Sequence, residues 1–158
     1  MDTESKSIAP EEPQRRELLV IQSREHLLGI FTEHVAGIAN GKVPTPLPRA
    51  PASVLGVIAF RGRMLTVIDP LLLIGDSAIA GPPSIIVALS GEEQVAIIAD
   101  SSCGAIQISA TDIEGVKEDH AGIISGTLRR EADLIEIIDV SRLFGATMQQ
   151  RERRRRRF

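Results

Sequence analysis

The apolar positions of this 158-residue chain fall into short runs of strand length, with no sustained helical spacing. Val54–Phe60 is apolar except at Gly56, and Met64–Ile68 is apolar except at Thr66. Both runs are rich in β-branched residues, and only a few polar residues around Arg61–Gly62 separate them, which predicts a hairpin. A left-handed φ suits Gly62 and not Arg61, so the expected connection is a type I turn closed by the glycine, with Arg61 at its tip. Leu18–Ile21 and Leu27–Phe31, flanking polar Ser23–His26, predict an earlier hairpin. Ser84–Leu89, Gln94–Ala99 and Ala105–Ile108 predict later strands, and Val35–Ala39 fits a short strand or a turn of helix.

The hairpin recurs. A shift of seventy positions places Gly56 on Gly126, Asp69 on Asp139 and Gly75 on Gly145, and aligns Met64, Leu65, Val67 and Ile68 with Leu134, Ile135, Ile137 and Ile138. A weaker echo sets Val20–Ile30 against Val87–Ile98 with one residue inserted. Two copies of one β-rich unit follow, with the repeat boundary near residues 76–83.

Residues 1–16 are polar and contain Pro10 and Pro13, which predicts a disordered leader, with the folded domain spanning 17–146. Asn40–Ala52 holds four prolines and predicts a long structured loop carrying Lys42 and Arg49. Asp69 before Pro70 and Asp139 before Val140 each read as the cap of a short helix. Ser109–Asp119 reads as a surface loop. The tail, residues 147–158, contains Arg151, Arg153, Arg154, Arg155, Arg156 and Arg157. With Glu152 these give a net +5 within a chain total of −3, leaving −8 for the rest. Like charges three and four apart predict that this segment frays unless an anion neutralises it.

Composition removes several function classes. With no Trp or Tyr and four Phe, platforms for stacking bases or sugars are scarce. The chain contains no P-loop, GxGxxG, GxSxG, HExxH or CxxC, so neither catalytic residues nor a cofactor or metal site is expected. His26, His34 and His120 lack metal-ligand spacing and are expected to be ordinary surface residues; Cys103 is expected to be buried as a small hydrophobe, and Asp100 to be structural. A start without an export signal and apolar runs well short of ~20 residues predict a soluble cytoplasmic protein. Arg61 stands out among the polar residues, either clamping a carboxylate or offering its guanidinium to a partner.

GVIAFRGRMLTVIDP and, in the second copy, ISGTLRREADLIEIIDVSRLF resemble the CheW-like family, the adaptor module of bacterial chemosensory arrays, over roughly Glu17–Phe144. The resemblance implies an all-β fold of two five-stranded SH3-like barrels packed together, with strands exchanged between the halves so that repeat and barrel boundaries can differ. It further implies a non-catalytic adaptor that couples methyl-accepting chemotaxis receptors to a CheA-type histidine kinase, at arrays on the inner face of the membrane. Val35, Ile38, Gly56, Arg61 and Gly62 are the partner-binding residues it points to. The family pattern has Asn at the position of Ala59, Pro at Thr66, Glu at Gly37 and Leu at Pro70. These departures, with the arginine tail, raise two rivals: a divergent CheW-like scaffold for another signalling partner, and nucleic-acid or anionic-membrane binding through the tail.

Overall fold

Continuous apolar runs imply strands covered on both faces, and the computed structural model, which describes residues 14–76, 84–116 and 122–156, contains them. The described strands are β1 (Arg15–Ser23), β2 (His26–Phe31), β3 (Val35–Asn40), β4 (Val54–Phe60), β5 (Arg63–Ile68), β6 (Ile85–Leu89), β7 (Val95–Ala99), β8 (Ser101–Ser109), β9 (Ile113–Glu114), β10 (Ile124–Arg130) and β11 (Asp133–Ile138). A helix α1 (Pro70–Leu73) follows β5, and α2 (Leu143–Arg156) follows β11.

The strands form two sheets, one ordered β8-β1-β2-β11-β10-β9 and the other β3-β6-β7-β5-β4. Each sheet takes a hairpin from the opposite copy. β1–β2 joins the second copy through the parallel pair β2–β11, and β6–β7 joins the first through β5–β7. The two junctions have the same register: Leu28 faces Glu136, and Val95 faces Thr66. Thr66 and Glu136 are matched by the repeat, so Leu28 matches Val95 at a spacing of sixty-seven, whereas Val20, opposite Gly29, matches Ala88, opposite Ala96, at sixty-eight; the echo keeps a one-residue difference between the two hairpins. β9 is matched in the other sheet by an isolated bridge from Thr45 to Val57.

Side-chain alternation divides the core. On β6 and β7, Val87, Leu89, Val95 and Ile97 join the cluster between the sheets, whereas Ile86, Ala88, Ala96 and Ile98 fill the β3–β7 barrel with Ile58, Leu65 and Val67. On β1, Leu19 and Ile21 face the shared layer while Leu18 and Val20 line the other barrel with Leu128, Ile135 and Ile137. The exchanged hairpins are therefore apolar on both faces.

Both capping expectations hold: Asp69 Oδ1 accepts from Leu71 N at 3.0 Å, and Asp139 Oδ1 accepts from Ser141 N at 3.1 Å. Asp100 Oδ2 accepts from Arg24 N at 2.7 Å, tying down the β1–β2 turn as a structural residue.

Other expectations are corrected. Arg15 and Arg16 belong to β1, with Arg16 paired to Glu33 and lying over the Phe31 ring; leader residues 1–13 fall outside the described residues, as do linker residues 77–83 and His120. Cys103 is exposed, because it lies at a bulge in the first part of the edge strand β8, where Ser101–Ala105 are exposed on both faces. The helix after Asp139 is not short, and it does not fray where the arginines begin. A 3-10 turn at Val140–Arg142 leads into a helix of 14 residues that runs past position 147 to Arg156. Buried Leu143, Ala146 and Thr147 anchor its first turns, arginine is a good helix former, and each like-charge pair costs only a few tenths of a kcal/mol.

Candidate functional site

Phe60 pairs with Arg63, so the β4–β5 connection has two residues, and both have positive φ: +49° at Arg61 and +79° at Gly62. This is the mirror-image turn, not the type I turn expected from the sequence. Its twist matches that of the flanking strands, which outweighs the cost of a left-handed arginine. The Arg61 side chain is also held. Nη1 donates to Ala36 O at 2.9 Å, and the guanidinium lies 4.9 Å from the Phe60 ring centroid. The clamp expected on a carboxylate is made to a main-chain carbonyl.

That acceptor belongs to a bulge. Between the pairs Val35–Leu89 and Gly37–Ala88, Ala36 has no opposite residue. A Cβ on Gly37 would come within 2.8 Å of Phe60 Cζ and 3.2 Å of Arg61 Nη2, so the tip closes directly onto β3 where the family pattern has glutamate. Lys42 Nζ donates to Ala59 O, drawing the proline-rich loop toward the same hairpin.

Arg61, Gly62 and Ile38 lie on the accessible surface around this tip, whereas Val35 is half-buried against the layer between the sheets. Gly56 is separated from them. It is buried beneath the proline-rich loop, where Thr45 exchanges two 2.9 Å hydrogen bonds with Val57. Exposed apolar side chains missed by the pattern of strands flank the tip: Val43 on the loop is 72% exposed and Met64 on β5 is 56% exposed. Met64 shares its face of β5 with Ile68, which is buried between the sheets, so alternation alone does not mark it as exposed; its place beside the turn does. Of the basic tail, Arg151, Arg153, Arg154, Arg155 and Arg156 lie on α2, and Arg157 lies outside the described residues.

His26 is not the ordinary surface residue expected. Nε2 lies 2.6 Å from Asp76 Oδ2 and Nδ1 lies 3.0 Å from Glu136 Oε1, linking β2 to β11 and to the segment after α1. Burial pushes its pKa down, but the hydrogen bonds and charges of Glu136 and Asp76 more than offset this and hold it above 6.5. A raised imidazole stabilises the fold most below its unfolded value and loses that contribution as pH rises through the folded one. The thermal stability difference between the native chain and His26→Gln is therefore expected to be largest near about pH 6 and to shrink toward about pH 8. Melting curves across that range check it, and a difference that is constant or grows with pH refutes it.

Among the described residues no group of three or more His, Cys, Asp or Glu side chains could hold a metal ion, and no helix is long and apolar enough to cross a membrane. The described arrangement offers a held arginine, exposed apolar side chains and shallow clefts. These features suit binding by surface complementarity.

Comparison with known proteins agrees with this geometry. A model of the CheW-like domain matches residues 17–148. The chain is 27% identical over 132 residues to Protein FrzA of Myxococcus xanthus, covering 78% of this chain and 81% of that protein. The crystal structure of the scaffolding protein TtCheW from Thermoanaerobacter tengcongensis superposes with a TM-score of 0.70 at 23% identity, covering 80% of this chain and 90% of that one.

Proposed function

Because the chain belongs to the CheW-like family, we propose that it is a non-catalytic cytoplasmic adaptor that couples a methyl-accepting chemotaxis receptor to a CheA-type histidine kinase. The observation that carries this reading is the surface around the Arg61 tip. Ile38 at 39% exposure, Met64 and Val43 are exposed apolar side chains on the strands and loop that meet at this hairpin, whose guanidinium is held by Ala36 O, a combination that suits a docked helix or strand edge. Ile38, Arg61 and Gly62 form the contact region in this proposal, with half-buried Val35 packed behind it. Gly56 supports it from beneath through the proline-rich loop.

Arg61→Ala is expected to weaken association with the receptor tip or the kinase about tenfold. One exposed hydrogen bond is worth about 1 kcal/mol, so the fold should survive the change. A ternary pull-down with the kinase and a receptor cytoplasmic tip, alongside a melting curve, checks both. An adaptor retains the two partners together, and failure to hold either one refutes the coupling role.

One observation favours a second reading, a CheW-like scaffold for a different signalling partner. Gly37 stands where the family pattern has glutamate, and Arg61 is engaged by a main-chain carbonyl. Loss of both partners in the pull-down, with the fold intact, supports that reading.

A further inference from the structure

The two hairpin tips matched by the seventy-residue repeat end in opposite chemistry. At the first, Phe60 and Arg61 cover Gly37 and the bulge at Ala36. At the second, the matched residues are Arg130 and Glu131, and the bulge they face is at Cys103. A Cβ on Gly104, beside that bulge, would meet nothing within 4 Å. The space filled at one tip is left at the other as a cleft of about 510 Å³, with Val20, Leu27 and Ile135 in its floor and Glu25, Glu131 and Asp133 on its rim beside Arg130.

We propose that this cleft receives an arginine with a neighbouring aromatic side chain, supplied by the arginine-rich end of α2 and the Arg157–Phe158 that follows it in a second copy of the chain. The first barrel shows what such a mouth accommodates, since there a guanidinium and a phenyl ring from adjacent residues occupy it. The rim of the second adds acidic groups suited to forked pairing with a guanidinium, and its apolar floor suits a ring. Charge favours the same occupant: residues 151–158 carry +5 and the remainder −8. A second copy is indicated because α2 packs on the opposite sheet, where Phe144, Thr147 and Met148 line a groove with Val54, Thr66 and Ile68. Tail into cleft is a head-to-tail contact, which extends into chains of molecules and does not close as a two-fold dimer.

The test uses two variants of the full chain: truncation after Gln150, which keeps the cleft, and Glu131→Arg with Asp133→Arg, which keeps the tail. Arginine is tolerated at 131, because Arg61 holds φ +49° at the matched position and Glu131 holds +54°. In sedimentation, the native chain is expected to gain mass with concentration and lose it with salt. Each variant alone should be monomeric, and an equimolar mixture should give a one-to-one complex. A peptide of residues 150–158 should bind the truncated chain, about tenfold more weakly once the rim is reversed. A native chain that stays monomeric, rim-reversed protein that still associates, or variants that fail to pair would overturn the proposal. Peptide binding without self-association would place the tail in its own cleft and overturn the second-copy assignment.

Discussion

Gly56→Ala is expected to destabilise the chain by about 3 kcal/mol, lowering its melting temperature by about 10 °C. Two costs combine. Gly56 has φ +146°, which an alanine resists, and its Cβ would sit 2.1 Å from Thr45 O and 2.5 Å from Thr45 C. These are main-chain atoms fixed by the two bonds to Val57, so the proline-rich loop must detach from β4 before the methyl group fits. Gly126 provides the comparison. It holds the matched bulge, but a Cβ there would meet a side-chain atom, Ile113 Cγ2, at 2.6 Å and Glu114 O at 3.0 Å, with no positive φ to maintain. Gly126→Ala should therefore cost less, because a side chain yields where backbone does not. Chemical denaturation of both variants checks the order; equal losses, or the reverse order, would show that loop contact at Thr45 is not what requires Gly56.

The second large effect concerns the exchanged hairpins. Produced separately, residues 1–80 and 81–158 are each expected to lack a cooperative unfolding transition. The first half keeps β3, β4 and β5 but loses β6 and β7, the strands between β3 and β5. Its own β1–β2 is left as a lone hairpin, which is marginal in water. The second half fails in the same way, because β8 is joined to β11 only through β1 and β2. Mixing the halves should restore strand circular dichroism and a single transition at a rate that depends on concentration. A half that folds by itself into a stable barrel would contradict the exchange.

A considerable part of the candidate site was legible beforehand. The pattern alone singles out Arg61 as a polar residue at the tip between two apolar strands, and the structure places it at that tip. Its turn differs from the type I turn expected because strand twist, a property of the assembled sheet, outweighs the residue's own φ preference. Its acceptor could not be anticipated, since Ala36 O is exposed to it only by a bulge in β3. His26 gave no local signal, because its two carboxylates are 50 and 110 residues away. Residue type alone favours an interior Cys103, whereas it lies on the uncovered first part of an edge strand.

By itself the amino-acid sequence determined where most of the strands lie, which residues cap the helices after β5 and β11, and that one unit occurs twice; β3 and β9 were not fixed by it. These properties are written in neighbouring residues: two-residue alternation, β-branched runs, and an aspartate before a helical turn. Only the tertiary structure decided that β1–β2 and β6–β7 each complete the other copy's sheet. It also decided that Arg61 fills one barrel mouth while Glu131 leaves its counterpart open. A strand apolar on both faces can be buried in either sheet, so its own pattern is silent about its partner. The choice is made by the shared layer, where Leu19, Ile21, Val87 and Ile97 pack together only when the hairpins are exchanged.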